Sequence, residues 1–184
     1  MPHPTALVPV ADGSEDIESV TIIDVLRRAQ IAVTVASVTP DARLQVTAAR
    51  GTRIVADALL QDCSRQTFDL IALPGGMPGA THLAESELLL RLLQEQKQSG
   101  RWYAAICASP AVVFAAHGLD RDVNTTAHPG FTQHLTHFRN ERVVVDHNCI
   151  TSQGPGTALE FSLMLVEKLL GKEKRDQVAA PMVL

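Results

Sequence analysis

Apolar residues fall into short β-type runs and longer helical runs, and the two kinds alternate along the chain. Ala6-Leu7-Val8-Pro9-Val10 reads as a first buried strand, followed by a polar turn at Asp12-Gly13-Ser14-Glu15. Ser14 is the expected N-cap of a helix running to about Ala29. Ile31 to Val38 is β-branched and predicts a second strand, and a polar excursion through Gly51 predicts a hairpin ending at Ile54-Val55. Asp69 to Leu73 is another strand, running into Pro74-Gly75-Gly76-Met77-Pro78-Gly79. Leu88 to Gln98 has an amphipathic helical pattern. After Gly118 the chain turns polar and histidine-rich to Asn140, where no regular element is legible. Val143-Val144-Val145 and Cys149-Ile150-Thr151 form a late strand pair, and Gly154 to Thr157 opens a last long helix to Leu170. Strands alternating with helices imply an α/β fold, a mainly parallel sheet with helices on both faces and a single domain over residues 1–184.

Two stretches carry more than fold. On the first helix, Ile17, Val20, Ile22, Ile23, Val25, Leu26 and Ala29 spread nearly all round a wheel of ~100° per residue. A helix covering one sheet face needs only a stripe. The second apolar face therefore belongs either to a partner subunit or to the interior of the same chain. The other stretch is Tyr103 to Val113, a short apolar run that turns at small residues and Pro110 into a second apolar run of helical length. Cys107 falls on that strand-to-helix turn, where the free N–H groups of a helix terminus favour a thiolate. Residues 102–119 carry no formal charge, but Ser109, Pro110 and Gly118 interrupt them and their length only just reaches the roughly 18 residues a membrane span needs. A buried strand and helix is the expectation, and no membrane partner.

Composition narrows the function classes. The formal net charge is −4, so no basic surplus points to nucleic acid. Three cysteines, Cys63, Cys107 and Cys149, are too few and too odd in number for a disulfide framework. With no basic n-region or apolar h-region at the N-terminus, they point to reduced thiols and a cytoplasmic protein.

In parallel α/β sheets ligands gather at the carboxyl ends of strands, and Cys107 and Gly75-Gly76 both lie just after one. The N–H groups of Gly75, Gly76 and Ala108 are candidate donors to an oxyanion formed on a carbonyl that Cys107 attacks. Glu18 sits one turn into the first helix, either a solvated carboxylate favoured by the helix dipole or an acid near that site. His134 and His137 are three apart, but no cysteine or carboxylate completes a ligand set, so no metal and no cofactor is expected. The fingerprints of phosphate-binding loops are absent from the sequence.

Taken together, Ala11-Asp12-Gly13-Ser14-Glu15-Asp16-Ile17-Glu18, Leu73-Pro74-Gly75-Gly76, Ala104-Ala105-Ile106-Cys107-Ala108, His128-Pro129, Thr151-Ser152-Gln153-Gly154-Pro155-Gly156-Thr157 and Ala180-Pro181-Met182-Val183-Leu184 resemble the ThiJ/PfpI superfamily. Within it they are most similar to the branch of the Parkinson-disease-associated deglycase and the bacterial protein YajL. The resemblance runs from residue 5 to residue 184. It implies a flavodoxin-like sandwich, related to class I glutamine amidotransferases, usually a homodimer with its site near the interface. By it, Cys107 matches the oxidation-sensitive cysteine, Glu18 the acid that hydrogen-bonds it, and Gly75 and Gly76 the loop of backbone donors. His128 matches the family histidine, although Thr125-Thr126-Ala127-His128-Pro129 is one residue longer than the usual Thr-Thr-His-Pro. Asp24 and Arg28 match residues near the site or interface. An amidotransferase proper would carry Gly-x-Cys-x-Gly and a late His-x-Glu, and this chain has neither.

The resemblance implies one of two functions. One is a cofactor-independent enzyme acting on methylglyoxal or glyoxal, or on amines, thiols and nucleotides glycated by them, with Cys107 as nucleophile. The other is a redox-responsive chaperone or sensor working through Cys107 oxidation.

Overall fold

The computed structural model describes residues 3–184. Strand β1 (Thr5–Val10) is the centre of the fold, flanked by parallel β2 (Ala32–Ser37) on one side and parallel β6 (Leu70–Leu73) on the other. Beyond β2 lies the short β5 (Ala58–Leu59). Beyond β6 come parallel β7 (Trp102–Ile106) and β9 (Cys149–Ser152), then β8 (Val143–Asp146) antiparallel at the edge. A separate hairpin pairs β3 (Gln45–Thr47) with β4 (Arg53–Val55). The seven-stranded order is β5-β2-β1-β6-β7-β9-β8. The chain thus winds outward one way from β1 and the other way from β6, and the crevice between their carboxyl ends is the switch point where such sheets bind ligands.

Strand alternation sorts side chains into two cores. Ala6, Val8 and Val10 of β1, Leu70 and Ala72 of β6, and Ala104 and Ile106 of β7 face α1 (Asp16–Arg28), α4 (Ala158–Leu170) and α5 (Lys172–Ala179). Leu7, Ile71, Leu73, Tyr103 and Ala105 face the opposite way, toward α2 (Gly79–Ala84) and α3 (Glu87–Ser99). Period-2 geometry produces this division, and apolar side chains on both faces are what a sheet covered twice requires. The expected doubly wound α/β architecture is present.

Several local expectations change. The cap of α1 is Glu15, not Ser14: the Glu15 side chain accepts the Glu18 N–H at 2.8 Å, while the Ser14 hydroxyl accepts the Ala11 N–H and holds the preceding turn. Around α1, Ile22, Ile23, Val25 and Leu26 are all buried within the chain because α4 packs along the helix. Only Ile17 and Val20 remain as exposed apolar residues of that helix, about half accessible. The apolar run after Cys107 is not one α-helix but a π-helical turn, Pro110–Phe114, followed by a 3-10 turn that ends at Gly118 with φ +71°. This wider turn seats Val113 and Phe114 on the second core, with the Phe114 ring 5.2 Å from that of Tyr103. Helix α5 was not foreseen, since KEKRDQVA has no apolar stripe and buries only Val178.

Candidate active site

The nucleophile candidate sits on a strained backbone. Cys107 has φ +65°, a region that costs a non-glycine residue energy and persists only when its surroundings enforce it. They do so from both sides. The Cys107 N–H donates to the Ser152 carbonyl at 3.0 Å, continuing the β7–β9 ladder, and the Cys107 carbonyl accepts the His128 N–H at 2.9 Å. The elbow therefore leaves the plane of the sheet at a fixed point, with the side chain 9 % exposed.

Against it lies the loop after β6. A Cβ at Gly75 would stand 2.6 Å from the Cys107 Cβ and 2.8 Å from the Ile106 carbonyl oxygen, so only glycine lets the two turns approach this closely. Gly76 has φ +85°, and a Cβ there would meet the Glu15 nitrogen at 2.5 Å. The N–H groups of Gly76 and Ala108 lie near enough to the Cys107 sulfur to favour its anion. Gly75 has a different task from the one its sequence position suggested. Its N–H is taken by Glu18 Oε2 at 2.7 Å and holds the carboxyl group.

Glu18 is wholly buried, so the solvated reading of this carboxylate does not hold. The α1 turn beginning at Glu15 points it inward, across the crevice between β1 and β6. Its Oε1 is buried without a hydrogen-bond partner, although the Cys107 thiol is close enough to influence the group. Burial pushes the carboxyl up to about 7; the Gly75 N–H and Cys107 oppose the rise, and the nearby Glu15 adds to it. Burial is also the first cause that pushes the Cys107 thiol up, to about 12, followed by the charge of an ionised Glu18; the Gly76 and Ala108 N–H groups pull the other way. A helix terminus was expected to acidify this thiol. The following turn is only five residues of π-helix, and desolvation outweighs it.

Two acids in one dry pocket titrate as a pair. With the charge on the carboxylate, the donors are the Gly75 N–H and a weak S–H. With the charge on sulfur, the donors are the N–H groups of Gly76 and Ala108 and an O–H from Glu18 Oε1, which otherwise has no partner. Burial pushes both groups up and by itself leaves the proton on sulfur; we place the shared charge on sulfur because that arrangement offers three strong donors against one N–H and a weak S–H.

His128 comes to the site through its backbone. Its ring is exposed at the mouth, with Nδ1 accepting the Gly130 N–H at 3.2 Å and Phe131 edge-on at 6.2 Å. Asp24 and Arg28 form an ion pair at 2.7 Å on the outer face of α1, each about half exposed. Neither enters the Glu18–Cys107 crevice in this chain. No group of three or more His, Cys, Asp or Glu side chains among the described residues is arranged to hold a metal.

Three contributors escaped the sequence reading. Glu15 donates its backbone N–H to the Gly75 carbonyl at 2.9 Å, Asp16 receives the N–H groups of Arg50 and Thr52, and Ser109 donates its hydroxyl to the Pro74 carbonyl at 2.6 Å. The Glu-rich turn was a visible signal. Ser109 shows in the sequence only as a small polar residue that interrupts an apolar run.

Comparison with known proteins finds a match to the DJ-1/PfpI family over residues 4–168. Protein DJ-1 homolog B of Arabidopsis thaliana is 49 % identical over 96 % of this chain, which spans 40 % of that longer relative. A Caenorhabditis elegans protein named glutathione-independent glyoxalase DJR-1.2 is 39 % identical over 97 % of this chain and 94 % of its own. Among solved structures, an oxidized DJ-1 from Toxoplasma gondii superposes with a TM-score of 0.95 at 43 % identity, covering 98 % of each chain.

Proposed function

The chain belongs to the DJ-1/PfpI family, and from that premise we propose that it is a cysteine-dependent, cofactor-independent enzyme acting on reactive dicarbonyls. The substrate is methylglyoxal or glyoxal, free or as the adduct on an amine, thiol or nucleotide. The observation that carries the reading is the buried Glu18 carboxyl, held by Gly75 with its second oxygen unpartnered and Cys107 close enough to influence the group. The naming of a relative as a glutathione-independent glyoxalase points the same way.

In the proposed course the Cys107 thiolate attacks the aldehyde carbon. The new S–C bond displaces the carbonyl pair onto oxygen, and Glu18 gives that oxygen its proton, yielding a hemithioacetal. The N–H groups of Gly76 and Ala108, which stabilise the sulfur beforehand, remain to steady the oxyanion as it forms. Glu18, now a carboxylate, takes the proton from the attacked carbon to give an enediolate; His128 at the mouth protonates the adjacent carbon while the hydroxyl proton of the attacked carbon passes to the neighbouring oxygen, which leaves a thioester. Water then adds to the thioester carbonyl, the C–S bond breaks to release lactate and return the Cys107 thiolate, and the proton set free restores His128. Deglycation begins from the glycated adduct and shares the attack by sulfur.

We place the working protein as a homodimer of single-domain chains in the cytoplasm, the exposed Ile17 and Val20 supporting the dimer. No described helix is long and apolar enough to cross a membrane. The test is to incubate metal-free protein and Cys107→Ser with methylglyoxal and follow lactate directly, with a control for spontaneous reversal of adducts. Lactate from free methylglyoxal identifies the glyoxalase course. Lactate only from preformed adducts, beyond their spontaneous reversal, identifies deglycation. Equal lactate from Cys107→Ser overturns the reading. Absence of lactate with both substrates, together with peroxide-dependent holding of unfolded clients, would favour the redox chaperone.

A further inference from the structure

Ser109 stands at the N-terminal boundary of the Pro110–Phe114 turn, where a serine hydroxyl ordinarily caps free N–H groups, yet it makes no capping bond. Its hydroxyl crosses 35 residues of sequence to donate to the Pro74 carbonyl at 2.6 Å, with Ser109 wholly buried. That carbonyl belongs to the same peptide unit as the Gly75 N–H, which donates to Glu18 Oε2 at 2.7 Å. One rigid peptide plane therefore runs from the nucleophile elbow to the acid. The next plane is held in the same way: the Gly75 carbonyl accepts the Glu15 N–H at 2.9 Å, and the Gly76 N–H of that plane lies near enough to the Cys107 sulfur to favour its anion. Each donor of the glycine loop is aimed by a bond to the carbonyl on the far side of its own peptide.

We propose that Ser109 is a positioning residue, which fixes the Pro74–Gly75 peptide and through it sets the proton affinity of Glu18. The inference rests on the assignment of Glu18 and Cys107 as the working pair, not on any particular substrate. Without the hydroxyl, the buried Pro74 carbonyl loses its partner and the peptide is free to rock, so the Gly75 N–H meets Oε2 less well. Glu18 then holds its proton to higher pH. A hydrogen bond chain also strengthens each member by polarisation, and that contribution is lost as well.

The experiment needs no dicarbonyl. The rate at which iodoacetamide alkylates Cys107, located by mass mapping, is measured against pH in the wild type, Ser109→Ala and Ser109→Thr, each checked for a cooperative thermal transition. Ser109→Ala is expected to move the pH profile and change the alkylation rate at pH 7 by about three- to tenfold, the worth of one ordinary hydrogen bond. Ser109→Thr, which keeps the hydroxyl, is expected to restore the wild-type profile. In a Glu18→Gln background, where the acid no longer titrates, Ser109→Ala is expected to leave the profile unmoved. A Ser109→Ala profile that superimposes on the wild type overturns the proposal. So does a shift of equal size in the Glu18→Gln background, and that comparison decides the matter if the added methyl of Ser109→Thr prevents folding.

Discussion

Gly75 donates its N–H to Glu18 Oε2 at 2.7 Å, while the other oxygen of the same carboxyl is buried with no hydrogen-bond partner. A carboxylate in that position would leave half of its charge unsatisfied, which is costly in a dry interior. A carboxylic acid would carry no charge to satisfy, and its O–H could turn to the nearby Cys107 sulfur. The asymmetry between the two oxygens therefore favours a protonated Glu18 when Cys107 carries the charge.

Gly75→Ala should damage both fold and site. Its Cβ would fall 2.6 Å from the Cys107 Cβ and 2.8 Å from a backbone oxygen, and neither neighbour is a flexible side-chain end. Overpacking of this kind costs roughly 1–3 kcal/mol or more. Denaturant unfolding should report at least that loss, and Cys107 alkylation should lose its wild-type pH dependence.

Stability should depend on pH through Glu18 with a definite sign. Its carboxyl is raised from 4.5 to about 7, so the folded state keeps a proton that the unfolded chain releases. That contribution is present below about 4.5 and declines as pH rises toward 7. At ~1.4 kcal/mol per unit the decline is at most about 3 kcal/mol, less whatever is recovered when the charge settles on sulfur. Glu18→Gln should therefore gain stability relative to the wild type between pH 5 and pH 8, measured by urea unfolding. A relative loss would contradict the direction.

How far the site was legible in the sequence can be argued from its residues. Cys107 and the glycine pair were legible because each follows a strand end, and strand ends follow from the apolar runs; Glu18, on α1, was open to a solvated reading and was singled out by the family resemblance. Their division of labour was not legible. That Gly75 serves Glu18 while Gly76 serves Cys107 depends on how two peptide planes are turned, and no pattern of residue types encodes that. The same holds for Ser109, whose partner is 35 residues away. Irregular residues 119–140 stayed unreadable because they are fixed by individual polar bonds, such as Asp120 accepting from Thr136, rather than by a period. On α1, the wheel counted apolar positions correctly, but could not say that α4 of the same chain covers most of them.

Peroxide should distinguish the cysteines. Cys107 is 9 % exposed with two N–H donors near its sulfur, whereas Cys63 and Cys149 are at 0 % and 1 %; burial pushes all three thiols up, so access and those donors make the difference. Mass mapping after a short pulse should find Cys107 oxidised first and resting as sulfinate, whose oxygens those donors can hold. Earlier oxidation of Cys63 or Cys149 would count against the elbow.

The subunit contact should depend on the exposed end of α1. Sedimentation at low micromolar concentration should give twice the 19.8 kDa chain mass, and Val20→Asp should shift it toward one. A wild-type monomer would remove the dimer from the account.

The most direct test of the shared proton is thiolate absorbance against pH in the wild type, Glu18→Gln and Glu18→Ala. An ordinary thiol has a pKa of ~8.5. Glutamine still donates to sulfur, though more weakly than a carboxylic acid, and alanine donates nothing. The Cys107 pKa should therefore rise slightly in Glu18→Gln and further in Glu18→Ala. A fall in either variant would mean that Glu18 carries the charge while Cys107 keeps its proton, and would contradict the account of the site.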